Sequence, residues 1–324
     1  MAVLAIPVTI AVALILVPLL VKTLDRKAGW PLGLTFLALA GYVIKHADPI
    51  LNGKTATWSV TWIQGILTGA GGGAGAASAG GTADAAASTG LELALKMDAL
   101  GLFFTLLALL IGAVVFIYSA AYLHKGDKIM SFYVLMTSFM LAVLLLVLAD
   151  DVALLFIGWE LVSLASFFLI ARSGSGGEAG AIRTLLLTFV GGLFLLAALA
   201  ISVITTGTTN LTAMLHSPAW EGQDVRLAIV AVLIALAAFS KAAQIPFHFW
   251  LPEAMAADTP VSAFLHAAAV VKAGVYLLLR FSGLFEGVMA WHTLLIAIGM
   301  TTAIMGAVFA CLLYTSDAAD EPSS

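Results

Sequence analysis

Cysteine occurs once in the 324 residues, at Cys311, so the chain can close no internal disulfide and cannot ligate an iron–sulfur cluster that needs four thiolates. No group of His and Cys has metal-ligand spacing either, and no metal or other cofactor is expected. Charge is scarce too: 10% of the residues are Asp, Glu, Lys or Arg against 62% hydrophobic, and the mean hydropathy is +1.10. A soluble globule of this length would need more polar surface than that. The net charge of −4 hides no basic tract suited to nucleic acid. The one glycine-rich stretch lacks the preceding strand, the following helix start and the lysine of a phosphate cradle. With strand-like alternation also missing, these absences leave an all-α polytopic membrane protein.

Long apolar runs fill that description. They lie near 2–21, 30–46, 99–121, 131–149, 152–171, 182–205, 225–244, 261–281 and 290–313, about nine helices at ~1.5 Å per residue. The first run has no positive n-region and no small-residue cleavage site, which makes it a retained helix. Between 131 and 171 the apolar character is nearly continuous, and Asp150-Asp151 is the place for a hairpin. Lys22, Arg26 and Lys27 follow the first run, Lys125 and Lys128 the third, and Arg172 and Arg183 bracket the loop after the fifth. Those loops are expected on the cytoplasmic side of the cell (inner) membrane, with the amino terminus outside. Residues 65–90 form a glycine- and alanine-rich tract expected to be a flexible loop. The flanking Trp58-Ser-Val-Thr-Trp62 and Leu91-Glu-Leu-Ala-Leu95 are suited to pair as a short external hairpin.

Only Glu160, Lys241 and Lys272 fall well inside the apolar runs. A charged residue at a helix centre costs about 2.5–3.5 kcal/mol on insertion scales, so three of them call for a reason. Their opposite signs suggest that they face one another or shared water. Glu160 would be the tunable partner, Lys241 the switch and Lys272 the next station of a proton path; the plainer alternative is an ion pair that pins helices together. Lys241 stands in Phe239-Ser-Lys-Ala-Ala-Gln-Ile-Pro-Phe-His-Phe-Trp-Leu-Pro252, where Pro246 lacks an amide hydrogen and should break the helix just after Lys241. A helix that simply ends there, with the lysine reaching for headgroups, is the other reading. Next to the break stands His248. In the following run, Thr259 and Pro260 suit a helix start. His266 and Lys272, six residues apart, would lie ~9 Å apart along an ideal helix and about 120° around it. They could line successive stretches of one wet path, although a lone buried histidine is more often a hydrogen-bonded packing residue.

Four segments carry a family resemblance: Gly158-Trp-Glu-Leu-Val-Ser163, the stretch 239–252, Thr259-Pro-Val-Ser-Ala-Phe-Leu-His266 and Val271-Lys-Ala-Gly-Val-Tyr276. They resemble the proton-translocating membrane subunits shared by respiratory complex I and the multisubunit Mrp sodium/proton antiporters, over about residues 1–310. Met97-Asp-Ala-Leu-Gly-Leu-Phe-Phe104 and Ile117-Tyr-Ser-Ala-Ala-Tyr-Leu123 are similar to the third helix of that group. His-Phe-Trp-Leu-Pro at 248–252 and Val-Lys-Ala-Gly at 271–274 are closer to the MrpA-type proteins of the Mrp branch. The resemblance implies that Glu160, Lys241, Lys272, His248 and His266 belong to a proton pathway. It also implies a bundle of two inverted five-helix repeats, each with a broken helix.

Under that reading, residues 1–121 hold the first three helices, 122–284 the first repeat with its broken seventh helix, and 285–310 the start of the second repeat. Residues 311–324 depart from the family and read as a non-native tail. Two functions stay open, an antiporter component working with other membrane subunits on protons and Na+, and a proton-pumping component of an NADH–quinone oxidoreductase. Neighbouring reading frames would separate them.

Overall fold

The computed structural model describes residues 3–63, 91–124, 128–172, 175–255 and 257–320; the glycine- and alanine-rich stretch 65–90 lies outside them. Nine long helices among the described residues account for the nine apolar runs. α1 (Ala5–Leu24) and α2 (Gly29–Lys45) are joined by a 3-10 turn. β1 (Ala56–Ile63) and β2 (Leu91–Met97) pair antiparallel, with Trp58 opposite Leu95 and Ser59 opposite Ala94, which is the anticipated hairpin. There follow α3 (Ala99–Tyr122), α4 (Ile129–Leu148), α5 (Val152–Ala171), α6 (Ser175–Thr206) and α7 (Asp224–Lys241). α8 spans Thr259–Phe281 and α9 spans Met289–Asp320. Seven helical stretches are long and apolar enough to cross a membrane, one of which, Ala5–Lys45, contains both α1 and α2. The long helix outside that set is α7, whose 18 residues carry Asp224, Arg226 and Lys241.

Carboxylates start two of these helices. Asp98 caps α3 by accepting from the Gly101 amide at 2.8 Å, and Asp151 caps α5 by accepting from Ala153 and Leu154. Each satisfies amides that the first helical turn leaves without partners. The α4–α5 turn therefore falls at Asp150-Asp151, and the Asp150 amide ties it to β2 through the Ala94 carbonyl.

In the bundle α2 packs on α3, α1 on α4, α4 on α5, α5 on α6, α6 on α7, and α7 on both α8 and α9. At the end opposite the hairpin, Arg172 pairs with Asp258 at 2.9 Å and Arg183 with Glu253, while Tyr133 donates to the Arg26 carbonyl. The basic residues after α1, after α5 and at the start of α6 thus share one face, as alternating crossings require.

Some boundaries differ from the sequence reading. α6 begins at Ser175 rather than near 182, because its first turns are polar and glycine-rich and carry no apolar signal. α9 runs on to Asp320, through residues read as a tail. Most consequential, α8 is not a uniform α-helix: Leu265–Ala269 form a π-helical turn between Thr259–Phe264 and Val270–Phe281. A wide turn inserts a residue into the helical register, so the 9 Å and 120° spacing of an ideal helix does not hold for His266 and Lys272.

Candidate functional site

α7 stops at Lys241. The chain then passes through Ala243 at φ 51° and the cis Ile245–Pro246 peptide before a 3-10 turn at Phe247–Phe249 and a short helix at Trp250–Ala254. Pro246 ends the helix where the sequence placed the break, and other groups occupy the backbone that it frees. The Trp250 indole donates to the Ser240 carbonyl at 2.8 Å, Gln244 Nε2 to the Ala242 carbonyl at 3.2 Å, and the Ile245 amide to Thr302 Oγ1 of α9 at 3.1 Å. The polar groups next to the break are thus matched within the protein, which is one of the conditions under which irregular backbone is tolerated at membrane depth.

Lys241 is fully buried. Its ammonium donates to the main-chain carbonyl of Trp159 and stands 4.0 Å from the centroid of the Trp159 ring. It is enclosed by protein rather than extended to the molecular surface. Glu160, the next residue of α5, is half-buried and close enough to interact electrostatically with Lys241, yet the two form no ion pair: the three ion pairs among the described residues are Arg172–Asp258, Arg183–Glu253 and Arg280–Asp98. Glu160 Oε1 is buried without a hydrogen-bond partner. The two opposite charges are thus neighbours, as their signs suggested, while the closed ion pair of the plainer alternative is not formed and the lysine is held by the residue before the glutamate.

Small residues draw four helices together at this level. A Cβ on Gly192 of α6 would come within 1.9 Å of Glu160 Oε1, and one on Gly191 within 1.7 Å of Ser240 Oγ on α7. On the far side of α7, a Cβ on Gly274 of α8 would meet the Ala238 carbonyl at 2.5 Å. Glu160, Lys241 and the turn of α8 that carries Lys272 are thus neighbours because glycines let the helices approach. Lys272 is half-buried and makes no hydrogen bond or ion pair to a described residue. His266 lies in the π-turn with both ring nitrogens buried and unpartnered, and Nδ1 of His248, beyond the break, is in the same state. Polar atoms buried without partners are uncommon, and here three of the five anticipated residues, Glu160, His248 and His266, carry them.

A second charged group, which the sequence reading set aside as edge residues, lies at the hairpin end. Arg280 pairs with Asp98 and donates to Tyr276 OH at 3.0 Å, and Tyr276 OH donates to the Val147 carbonyl. Lys96 donates to Thr212 Oγ1 at 2.9 Å, and Thr212 in turn donates to Asp150. Lys96, Asp98, Asp150, Thr212 and Arg280, with His216, line a cavity of about 260 Å³. Burial pushes the Asp98 carboxyl up, but Arg280, the Gly101 amide and Lys96 outweigh it and hold the group below the usual carboxylate range. For Asp151, burial prevails over its amide hydrogen bonds and raises it. No cluster of three or more His, Cys, Asp or Glu among the described residues could hold a metal ion.

Sequence reasoning missed Trp159, Gly192 and Trp250 as parts of the site. The signal for Trp159 was present, since it is the residue between Gly158 and Glu160 in a segment already singled out.

Comparison with known proteins gives concordant matches. Residues 149–316 match the family described as NADH:quinone oxidoreductase/Mrp antiporter, TM, and residues 85–133 the one described as NADH-ubiquinone oxidoreductase (complex I), chain 5 N-terminus. The chain is 32% identical over 304 residues to a putative antiporter subunit mnhA2 of Staphylococcus haemolyticus, covering 93% of this chain and 35% of that protein. The corresponding protein of Staphylococcus saprophyticus is 42% identical over 217 residues, covering 66% and 27%. Among solved structures, a chain of the Mrp complex from Dietzia sp. DQ12-45-1b matches with a TM-score of 0.80 and 47% identity, over 93% of this chain and 31% of that one. The chain thus spans about a third of the length of these relatives.

Proposed function

The chain belongs to the NADH:quinone oxidoreductase/Mrp antiporter family of membrane proteins, and from that premise we propose that it is the ion-translocating part of a multisubunit Na+/H+ antiporter. It is a multi-pass membrane protein. In this reading it lies in the cell (inner) membrane with its amino terminus outside, and works beside other membrane subunits. Residues 122–284 act as the first repeat, and the coupled ions are protons and Na+. Protons pass along Glu160, Lys241 and Lys272, with His266 and His248 on the wet stretches beside them.

The observation that carries this reading is the fully buried Lys241, held by a carbonyl and an aromatic face while the adjacent Glu160 carboxylate has a buried oxygen without a partner. A static clamp would close that pair, because a buried charge is costly unless it is matched. Left open, the arrangement has two positions for the ammonium, against Trp159 or against Glu160, which differ in how readily each residue gives up or takes a proton. Moving between them is the elementary switch of a relay. The chemistry is proton and ion transfer; no covalent step is required of any residue, so the chain is read as a transporter component.

The test is Glu160→Gln in the full-length protein within its assembled complex, in vesicles with a pH-sensitive dye. The isostere keeps the packing against Gly192 and removes the charge, so Na+-coupled proton flux should fall strongly with assembly intact. Flux at the wild-type level would defeat the reading. The match of 85–133 to a complex I profile favours a second reading, a proton-pumping component of an NADH–quinone oxidoreductase. Proton uptake driven by NADH oxidation, and absent under a Na+ gradient, would select it.

A further inference from the structure

Trp159 is fully buried, and its indole Nε1 has no hydrogen-bond acceptor among the described residues. A buried tryptophan usually finds a partner for that N–H. What the ring does have is a cation: the Lys241 ammonium 4.0 Å from its centroid. The carbonyl of the same residue accepts from Lys241 and also from Ser163 Oγ at 3.3 Å, in addition to its place in the helix ladder. A carbonyl has two lone pairs, so this one is shared among more donors than it can serve well. The carbonyl alone is therefore a weak reason for the ammonium to rest here rather than on the neighbouring carboxylate. Successive helical residues point about 100° apart, so the Trp159 ring and the Glu160 carboxylate present themselves on different sides of the same turn.

We infer that Trp159 is a positioning residue for the relay: its ring face holds the Lys241 ammonium off Glu160 and so keeps both groups free to exchange protons. The inference rests on the proposed relay and adds a residue to it. In a desolvated site an ammonium over an indole is held strongly enough to compete with a carboxylate that is not in contact. When the ring is weakened, the ammonium moves to Glu160, the pair closes, and the switch slows. Lys241 is the mobile element; Trp159 sets its resting place.

Fluorination of the indole isolates this effect, because added fluorines drain the ring face of negative charge with little change of shape. The experiment places mono-, di- and trifluorotryptophan at position 159 of the full-length protein by nonsense suppression, and measures Na+-coupled proton flux of the assembled complex. Trp159→Phe and Trp159→Leu are measured alongside. Flux should fall stepwise with fluorine number, by about tenfold across the series. Phe should retain much more flux than Leu. A flat fluorine series, with Glu160→Gln inactive in the same vesicles, overturns the role of the ring and leaves the relay standing. A flat series with Glu160→Gln fully active overturns the relay reading and this inference with it.

Discussion

Two charged groups of this bundle use much the same residue types in opposite ways. At the hairpin end, Asp98, Arg280 and Tyr276 form one set of hydrogen bonds with an ion pair, and Lys96, Thr212 and Asp150 form a second beside it, so that β2, α3, the α4–α5 turn and α8 are all tied in. Deeper in the bundle, Glu160 and Lys241 are neighbours, Lys272 lies on a helix packed against that of Lys241, and Glu160 Oε1 and both ring nitrogens of His266 are buried without partners. Where every polar atom is matched, a group of charges fixes structure. Where the matches are withheld, the charges can change their protonation without tearing anything apart. The difference separates a latch from the proposed relay more clearly than residue identity does, since both contain lysine and a carboxylate.

If that contrast is right, crowding the relay should cost transport more than stability. Gly192→Ala puts a methyl where Glu160 Oε1 now lies, 1.9 Å from the ideal Cβ position, so the carboxylate or α6 must move. Proton flux in assembled vesicles should drop by an order of magnitude or more, since about 1 Å of misplacement at a reacting group can cost as much as a hundredfold. Flux above half of wild type would mean that the carboxylate position is not critical.

The hairpin cluster should respond in the reverse sense. Asp98→Asn removes the partner of Arg280 and weakens the α3 cap, and should lower stability by about 2–3 kcal/mol, below the range for a fully buried pair because Asp98 is 22% exposed. Flux per assembled complex should stay near wild type. Because Arg280 and Lys96 hold the Asp98 carboxyl below its unfolded value of about 4, its contribution is complete above that value and disappears as pH falls through the folded one. Melting in detergent from pH 7 to pH 3 should therefore show a larger loss for wild type than for Asp98→Asn at the acid end. Parallel curves would contradict the assignment.

Smallest of all should be the effect of deleting residues 69–88, which carry no apolar anchor and a single charge, Asp84. Transport should be nearly unchanged. Lost activity at normal expression would make the tract a docking element.

Much of the fold was legible because membrane helices announce themselves by apolar length. The hairpin strands, the Asp150-Asp151 turn and the stop at Lys241 all followed from local residue chemistry. Contacts between distant segments did not. Asp98 and Arg280 are 182 residues apart, and neither carries any local sign of the other. The resting place of Lys241 depends on how α5 and α7 lie together, so opposite charge pointed to Glu160 as its neighbour but not to Trp159, one residue before, as the group the ammonium rests on. The π-turn at Leu265–Ala269 was hidden as well, since its alanine-rich sequence reads as ordinary helix.

The central claim is that Lys241 works by giving up its proton and taking it back, and comparison of Lys241→Arg with Lys241→Ala tests it most directly. A guanidinium keeps the positive charge and can still face Trp159 and Glu160, but with a pKa above about 12 it does not release a proton. Both variants would be placed in the full-length protein, reconstituted with a pH-sensitive dye inside the vesicles, with assembly checked on native gels. The account predicts that both lose nearly all Na+-coupled proton flux while assembly is preserved. Arginine retaining most of the wild-type flux would contradict it and reduce Lys241 to a fixed charge.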